Sequence, residues 1–439
     1  MLKSRHNRSR PKKVDWYPRK RYLHFDLPLS RDRASELVTS PERIERHRFL
    51  PLMAFEKRDR KYRRRSGGAA QILYKIRNIA YCSNIDACVF GYYAEILVPA
   101  YEKIIRELNI EDVVIGYRSV GSNIDLALQA FQEIQSRGAC VAFAFDISGF
   151  FDNIDHGVLK RNWSRVLNVS FLPADHYKIF RNLTRFSYVN KRAVLNRLGL
   201  NASERDSQIR QPLCSIAEFR AIVKGEDGIG SNLVRSNSKA YGIPQGTPIS
   251  AIAANISMIE FDIRMKALIR AMGGSYRRYS DDILVIVPII NKNYVEDVLL
   301  ENIKLYTRRL KINKSKTDVV EFPALPAAVV SRPLQYLGFQ FDGSRILLRS
   351  STIARYHRRM HKAVGRAFAA QKQVLCGKRS GRAVIYKRSV YADVTHLGSQ
   401  NFVTSYAKNS HVKMNSSAIR RQMAGHMRKL RYLLGEVDG

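Results

Sequence analysis

No stretch of this sequence stays apolar long enough to cross a bilayer. The longest runs, such as Ile283–Val287, fall far short of the ~20 residues that a spanning helix needs. The first residues are charged and carry no apolar core of a secretory signal, so a cytoplasmic, reducing setting is expected and a membrane is not expected as a partner. The five cysteines (Cys82, Cys88, Cys140, Cys214 and Cys376) show no C-x-x-C spacing. That pattern indicates neither a zinc site nor a disulfide framework. Acids are scarce as well: 38 against 75 lysines and arginines, a formal charge of +37 in 439 residues. A surplus of that size repels itself and calls for a polyanion, so nucleic acid is the natural partner. It is concentrated at the ends, with nine basic groups in residues 1–22 against Asp15, and twenty in residues 345–439 against three acids.

With 45% hydrophobic residues the chain can bury a large core and divide into subdomains. The basic, proline-interrupted residues 1–22, including Trp16 and Tyr17, read as a nucleic-acid-binding arm or an unstructured end. A second basic run covers 56–65 before Ser66-Gly67-Gly68. From about Gln71 a packed domain is expected. Ile124, Leu128, Phe131 and Ile134 fall at helical spacing, and Gly138 ends that helix. Cys140–Phe145 is a continuous apolar run suited to a central strand that closes at Asp146. Single helices are predicted over 249–272 and 294–310, and basic helices over 352–372 and 417–434. Strands and helices without a regular βαβ repeat predict an α+β fold with a small antiparallel sheet and helical flanks.

The most informative residues are Tyr279-Ser280-Asp281-Asp282, between Tyr276 and the apolar run Ile283–Val287. They read as a hairpin with both acids at its tip. Two adjacent like charges repel, and an oxygen-seeking divalent cation resolves the conflict. Alone, the tetrapeptide is common turn chemistry. Asp146, at the end of a central strand, supplies a third carboxylate on a rigid element, and two-metal phosphoryl transfer needs carboxylates converging from separate places. The competing use of Asp146, as a helix cap, suits Asp152, Asn153 and Asp155 better. Tyr241–Ser250 is a loop running into a helix. Within it Gly246 admits close backbone approach, Gln245 can hydrogen-bond a base or sugar, and Pro248 fits a first helical turn. Lys75 and Arg77 share one strand face and could neutralise a triphosphate. Lys311, Lys314 and Lys316 follow a helix, and one of them could protonate a leaving pyrophosphate.

Taken in order, Phe145-Asp146 with Phe150-Phe151, Pro244-Gln245-Gly246, Tyr279-Ser280-Asp281-Asp282, Lys316-Thr317 and Tyr336-Leu337-Gly338-Phe339 strongly resemble the palm motifs of reverse transcriptases. The resemblance implies a right hand of fingers, palm and thumb, divided as a basic arm over 1–70, fingers and palm over 71–345, and a basic helical thumb over 346–439. It implies that Asp146, Asp281 and Asp282, with the carbonyl of Ile147, hold two Mg2+ ions (or Mn2+), and that Phe151 rejects a 2′-hydroxyl. Gln245, Gly246, Lys75 and Arg77 would hold the incoming nucleotide, Lys316 would serve as the catalytic lysine, and Leu337-Gly338 would form the primer grip. The implied partners are deoxynucleotides, an RNA template and an RNA/DNA duplex. Phe150-Phe151-Asp152-Asn153-Ile154-Asp155-His156, the segment Tyr81–Tyr101 and Tyr22–Asp26 resemble bacterial retron, group II intron and defence-associated enzymes. That implies an antiviral role with a structured non-coding RNA, and a homo-oligomer or partner protein is compatible with it. The rivals are an RNA-dependent RNA polymerase and a non-catalytic RNA-binding scaffold.

Overall fold

The computed structural model describes residues 15–18, 21–63, 71–200, 211–324, 330, 332–378 and 380–436. The expected arm at 1–14 and the junction at 64–70 lie outside the described residues. Strands β1 (Leu52–Arg63) and β2 (Gln71–Tyr81) form a long antiparallel hairpin. Their pairing runs from Met53 opposite Tyr81 to Arg63 opposite Gln71. Ser83 accepts from the Asp86 N–H at 3.1 Å and starts helix α1 (Asn84–Glu107). Trp16 and Tyr17, grouped with the arm by sequence, are half-buried against this body. The Trp16 carbonyl lies so near Gly91 that a Cβ there would meet it at 2.5 Å.

Helix α2 (Asn123–Arg137) begins at a reciprocal Ser122/Asp125 cap and ends at Gly138, φ 73°, as its periodicity predicts. Next come β3 (Cys140–Asp146) and α3 (His156–Val166), the latter capped by Asp155, whose carboxylate accepts from Val158 N at 2.9 Å. Strand β4 (Ser187–Asn190) lies parallel to β1. The single helix expected over 249–272 is two, α4 (Ser250–Ser257) and α5 (Ile259–Ala271), parted at Met258. There the Ser257 hydroxyl turns back onto the Ala254 carbonyl at 2.7 Å, a local bond that bends helices.

Strands β5 (Ser275–Tyr279) and β6 (Asp282–Pro288), helix α6 (Lys292–Thr307) and β7 (Asp318–Phe322) follow. They complete an antiparallel sheet of order β5-β6-β3-β7. A small three-stranded sheet, β8 (Leu334–Tyr336), β9 (Phe339–Phe341) and β10 (Ile346–Leu348), leads into the basic helix α7 (Ser350–Leu375). The basic stretch expected as one helix over 417–434 is two, α8 (Ser417–Met423) and α9 (His426–Leu433), separated at Ala424-Gly425. Glycine is a poor helix former, which favours a break there. The fold class is α+β. Among the described residues, no helix is long and apolar enough to cross a membrane.

The central sheet is covered on both faces, which is why β3 and β6 read as continuous apolar runs rather than alternating ones. Val141, Phe143 and Phe145 join one core with α1, α3, α4 and α5, while Cys140, Ala142, Leu284 and Ile286 join a second with α2, the small sheet and α7. Phe341 joins the layers of that second core: it is fully buried, 4.7 Å from the Phe131 ring and 5.6 Å from Phe322. Phe341→Ala is expected to cost about 3–5 kcal/mol, read as a lower denaturant midpoint with an unchanged slope.

Candidate active site

Strand register sets the centre of the site. Asp146 closes β3 directly opposite Asp282, the first residue of β6. Tyr279 pairs with Asp282, so Ser280-Asp281 is a two-residue turn. Ser280 adopts φ 59°, a left-handed value at the position where hairpins of this kind usually place glycine. Main-chain bonds join the turn to the strand end: Ile147 N–H donates to the Asp281 carbonyl at 2.9 Å, and Asn313 N–H donates to the Asp146 carbonyl at 2.8 Å. Behind the turn, a Cβ on Gly116 would lie 2.5 Å from the Ser280 nitrogen. The Ser280 hydroxyl donates to the Tyr117 phenol oxygen at 3.2 Å.

Three carboxylates at one end of a sheet are electrostatically unfavourable. Burial, then Asp281 and Asp146, push the Asp282 carboxyl up to about 7, and burial followed by Asp146 raises that of Asp281. Cations answer the charge from three sides. The Lys316 ammonium donates to Asp146 Oδ2. The positive charge of Lys75 reaches both Asp281 and Asp282, and that of Arg349 reaches Asp282. Arg77, expected to share phosphate binding with Lys75, is paired with Asp59 on the neighbouring strand.

Among the described residues, no three His, Cys, Asp or Glu side chains are gathered as a metal cage. Register nevertheless brings Asp146 and the Asp281-Asp282 turn to one sheet end, with Lys316 on one of the oxygens. In chemistry the set fits a hard divalent cation: only carboxylates, at one locus, with the ionised forms of Asp281 and Asp282 opposed by burial and by neighbouring acids.

Phe151, half-buried, lies in a short turn after Phe150, and its carbonyl accepts from Ile243 N–H at 2.9 Å. The two segments are therefore held side by side. The Gln245 carbonyl accepts from Ala80 N–H at 2.9 Å. Gly246, φ 131°, admits that approach, since a Cβ there would stand 2.8 Å from the Ala80 carbonyl. Gln245 borders a cavity of about 600 Å³ between the β1–β2 hairpin and this loop, with Asn78, Phe186, Tyr188, Asn237 and Lys239. None of the three site carboxylates lines it. Leu337-Gly338 is the tight turn between β8 and β9, with φ of 43° and 95°. A positive φ at leucine is a strained backbone state. The Gly338 carbonyl accepts from Arg349 N–H at 3.0 Å.

Residues 175–341 match the family model described as "Reverse transcriptase (RNA-dependent DNA polymerase)". That segment is similar to a reverse transcriptase domain. The fold around it is of mixed helix and sheet, as the sequence motifs imply. The match spans less than half of the chain. It starts after Asp146 and includes Gln245, Asp281, Asp282, Lys316 and Leu337. No curated protein matches the sequence. Similar solved structures include apo telomerase from Candida tropicalis truncated from its C-terminal domain, at 12% identity over 72% of this chain and 60% of that one, TM-score 0.39. Another is telomerase from Candida albicans in complex with a TWJ fragment of telomeric RNA, at 13% identity over 92% and 62%, TM-score 0.41. The chain therefore spans less than two thirds of the length of those telomerase chains.

Sequence reasoning missed several residues around the acidic turn: Gly116 and Tyr117 behind it, Arg349 beside Asp282, and a buried group of Arg278, Asp262 and Asn255. Only Arg278 leaves a trace, since it shares a strand face with the buried Tyr276.

The raised Asp282 value carries a sign. A carboxyl held near 7 when folded, against about 4 when unfolded, takes stability away as pH rises from about 4, and the loss is complete above about 7. In EDTA at pH 8, Asp282→Asn should raise the melting midpoint, by roughly 1 °C per kcal/mol relieved in a chain of 439 residues. Differential scanning fluorimetry should show that advantage shrinking as the buffer is taken to pH 6.

Proposed function

We propose that the chain is an RNA-directed DNA polymerase that joins deoxynucleotides to a 3′-hydroxyl by phosphoryl transfer. The observation that carries this reading is the register that sets Asp146 across from Asp282, next to Asp281 in the turn. Asp146, Asp281 and Asp282, with the Ile147 carbonyl, would hold two Mg2+ ions (or Mn2+), which supply charge neutralisation at the attacking and leaving oxygens.

The chain's own groups do the rest. Lys75 faces the carboxylates from the β1–β2 hairpin and would take the triphosphate, assisted by Arg77 once it leaves Asp59. Gln245 and Gly246 form the floor beneath the nucleotide. Phe151 sits beside that floor and would exclude a 2′-hydroxyl. Lys316, whose ammonium reaches Asp146, holds a proton for the departing pyrophosphate. Leu337-Gly338 would seat the primer end. In this reading 71–345 is fingers and palm, with residues 1–70 as a basic extension. Residues 346–439, rich in lysine and arginine, form a thumb that grips an RNA/DNA duplex. The resemblance of the phrases around Phe151, Tyr81–Tyr101 and Tyr22–Asp26 supports the further reading of a bacterial cytoplasmic defence enzyme that would work with a structured non-coding RNA.

Primer extension on an RNA template tests the chemistry. Asp281→Ala and Asp282→Ala should each lose about a thousandfold or more in rate, the equivalent of several kcal/mol; undiminished synthesis by both would remove the turn from the mechanism. Phe151→Ala should raise ribonucleotide incorporation by about tenfold or more. If the unmodified chain already prefers ribonucleotides, it is an RNA-dependent RNA polymerase instead.

A further inference from the structure

Behind the acidic turn lies an ion pair with no access to water. Arg278 on β5 and Asp262 on α5 are both fully buried. The pair is bidentate: Arg278 Nε donates to Asp262 Oδ1 at 2.8 Å and Nη2 to Oδ2 at 2.7 Å. The Tyr276 hydroxyl donates to the same Oδ1 at 2.7 Å. Arg278 Nη1 remains, and it points forward, donating to the Ser280 carbonyl and to Asn255 Oδ1, both at 3.2 Å. Asn255 then donates through Nδ2 to the Gly116 carbonyl at 2.9 Å, and Gly116 is the residue packed against the Ser280 nitrogen.

A buried pair of this kind is weak support for stability. The cost of stripping water from both charges is so large that well-packed apolar residues often serve as well or better. What hydrocarbon cannot supply is a donor aimed at a carbonyl inside a turn. The Ser280 peptide is bracketed: its oxygen is held by Arg278, and its nitrogen is backed by Gly116, which Asn255 fixes in place. That peptide precedes Asp281, and its residue holds the left-handed φ on which the two-residue turn depends.

We infer that Arg278, anchored by Asp262 and braced through Asn255, is a positioning residue that sets where Asp281 and Asp282 stand relative to Asp146. It touches neither substrate nor metal. The inference rests on the polymerase reading for its kinetic consequence and on geometry for the rest. A displacement of the turn by an ångström should cost roughly a hundredfold in rate. The nucleotide floor at Gln245–Gly246 should stay in place.

The decisive protein is the apolar replacement Asp262→Leu/Arg278→Met/Tyr276→Phe, the last change removing a hydroxyl that would lose its acceptor. It should still melt cooperatively. Its kcat should fall by about a hundredfold, with KM for the deoxynucleotide within about threefold of the parent, and Mn2+ binding followed by electron paramagnetic resonance should weaken by about tenfold. Parental kcat and Mn2+ affinity in the folded variant would overturn the inference. If the triple variant does not melt cooperatively, Asn255→Ala decides, because it leaves the Asp262–Arg278 pair whole. Weaker Mn2+ binding and lower kcat then sustain the inference, and parental values overturn it. Absence of synthesis by the unmodified chain would sink the polymerase reading alone, and the Mn2+ titration would still report on the positioning role.

Discussion

The β3–β6 register forces Asp146 and Asp282 to face each other across neighbouring strands, the arrangement that ordinarily destabilises a sheet. It persists because both strands continue as apolar runs buried on two faces. Slipping by one residue would exchange every side chain between the two cores. Packing thus holds the acids in a place that electrostatics disfavours. The surroundings are organised around that conflict: Lys316 comes from beyond α6, Lys75 from the hairpin, and Arg349 from the start of α7. Each arrives from a different part of the chain, so a charge conflict at one sheet end gathers three otherwise separate regions.

Support for the turn is layered by chemistry. On the solvent side stand the charged groups of Lys316 and Arg349. Directly beneath are main-chain bonds donated by Ile147 and Asn313. Deeper still lies the Arg278–Asp262 pair, dry and bidentate. Burial thus rises with depth, from the half-exposed Lys316 side chain to the fully buried Arg278–Asp262 pair.

Much of the site was legible because its signals are local. Asp281-Asp282 lies between an aromatic strand and an apolar one, so a hairpin tip was readable, and Asp146 ends a continuous apolar run suited to a central strand. Gly138 and Asp155 bound their helices through short-range backbone chemistry. The illegible part depends on distance or on what a side chain meets after packing. Lys316 and Asp146 are separated by 170 residues, and nothing in a lysine-rich loop singles out one ammonium. Arg278 looks like any strand arginine until Asp262, sixteen residues away, is folded over it. Trp16 seemed part of a charged arm because composition does not reveal that Gly91 leaves room for its carbonyl. The helix break at Met258 comes from one serine hydroxyl turning inward, a choice that periodicity cannot register.

The bond from Ala80 N–H to the Gln245 carbonyl has a mechanical meaning. The end of the long hairpin is fastened to the loop that underlies the cavity, and Gly246 lets the two backbones touch. Roof and base of that chamber therefore travel together. Any swing of the hairpin that leaves this fastening intact must pivot above Ala80, in the outer rungs of the β1–β2 ladder, where Lys75 rides on the moving arm.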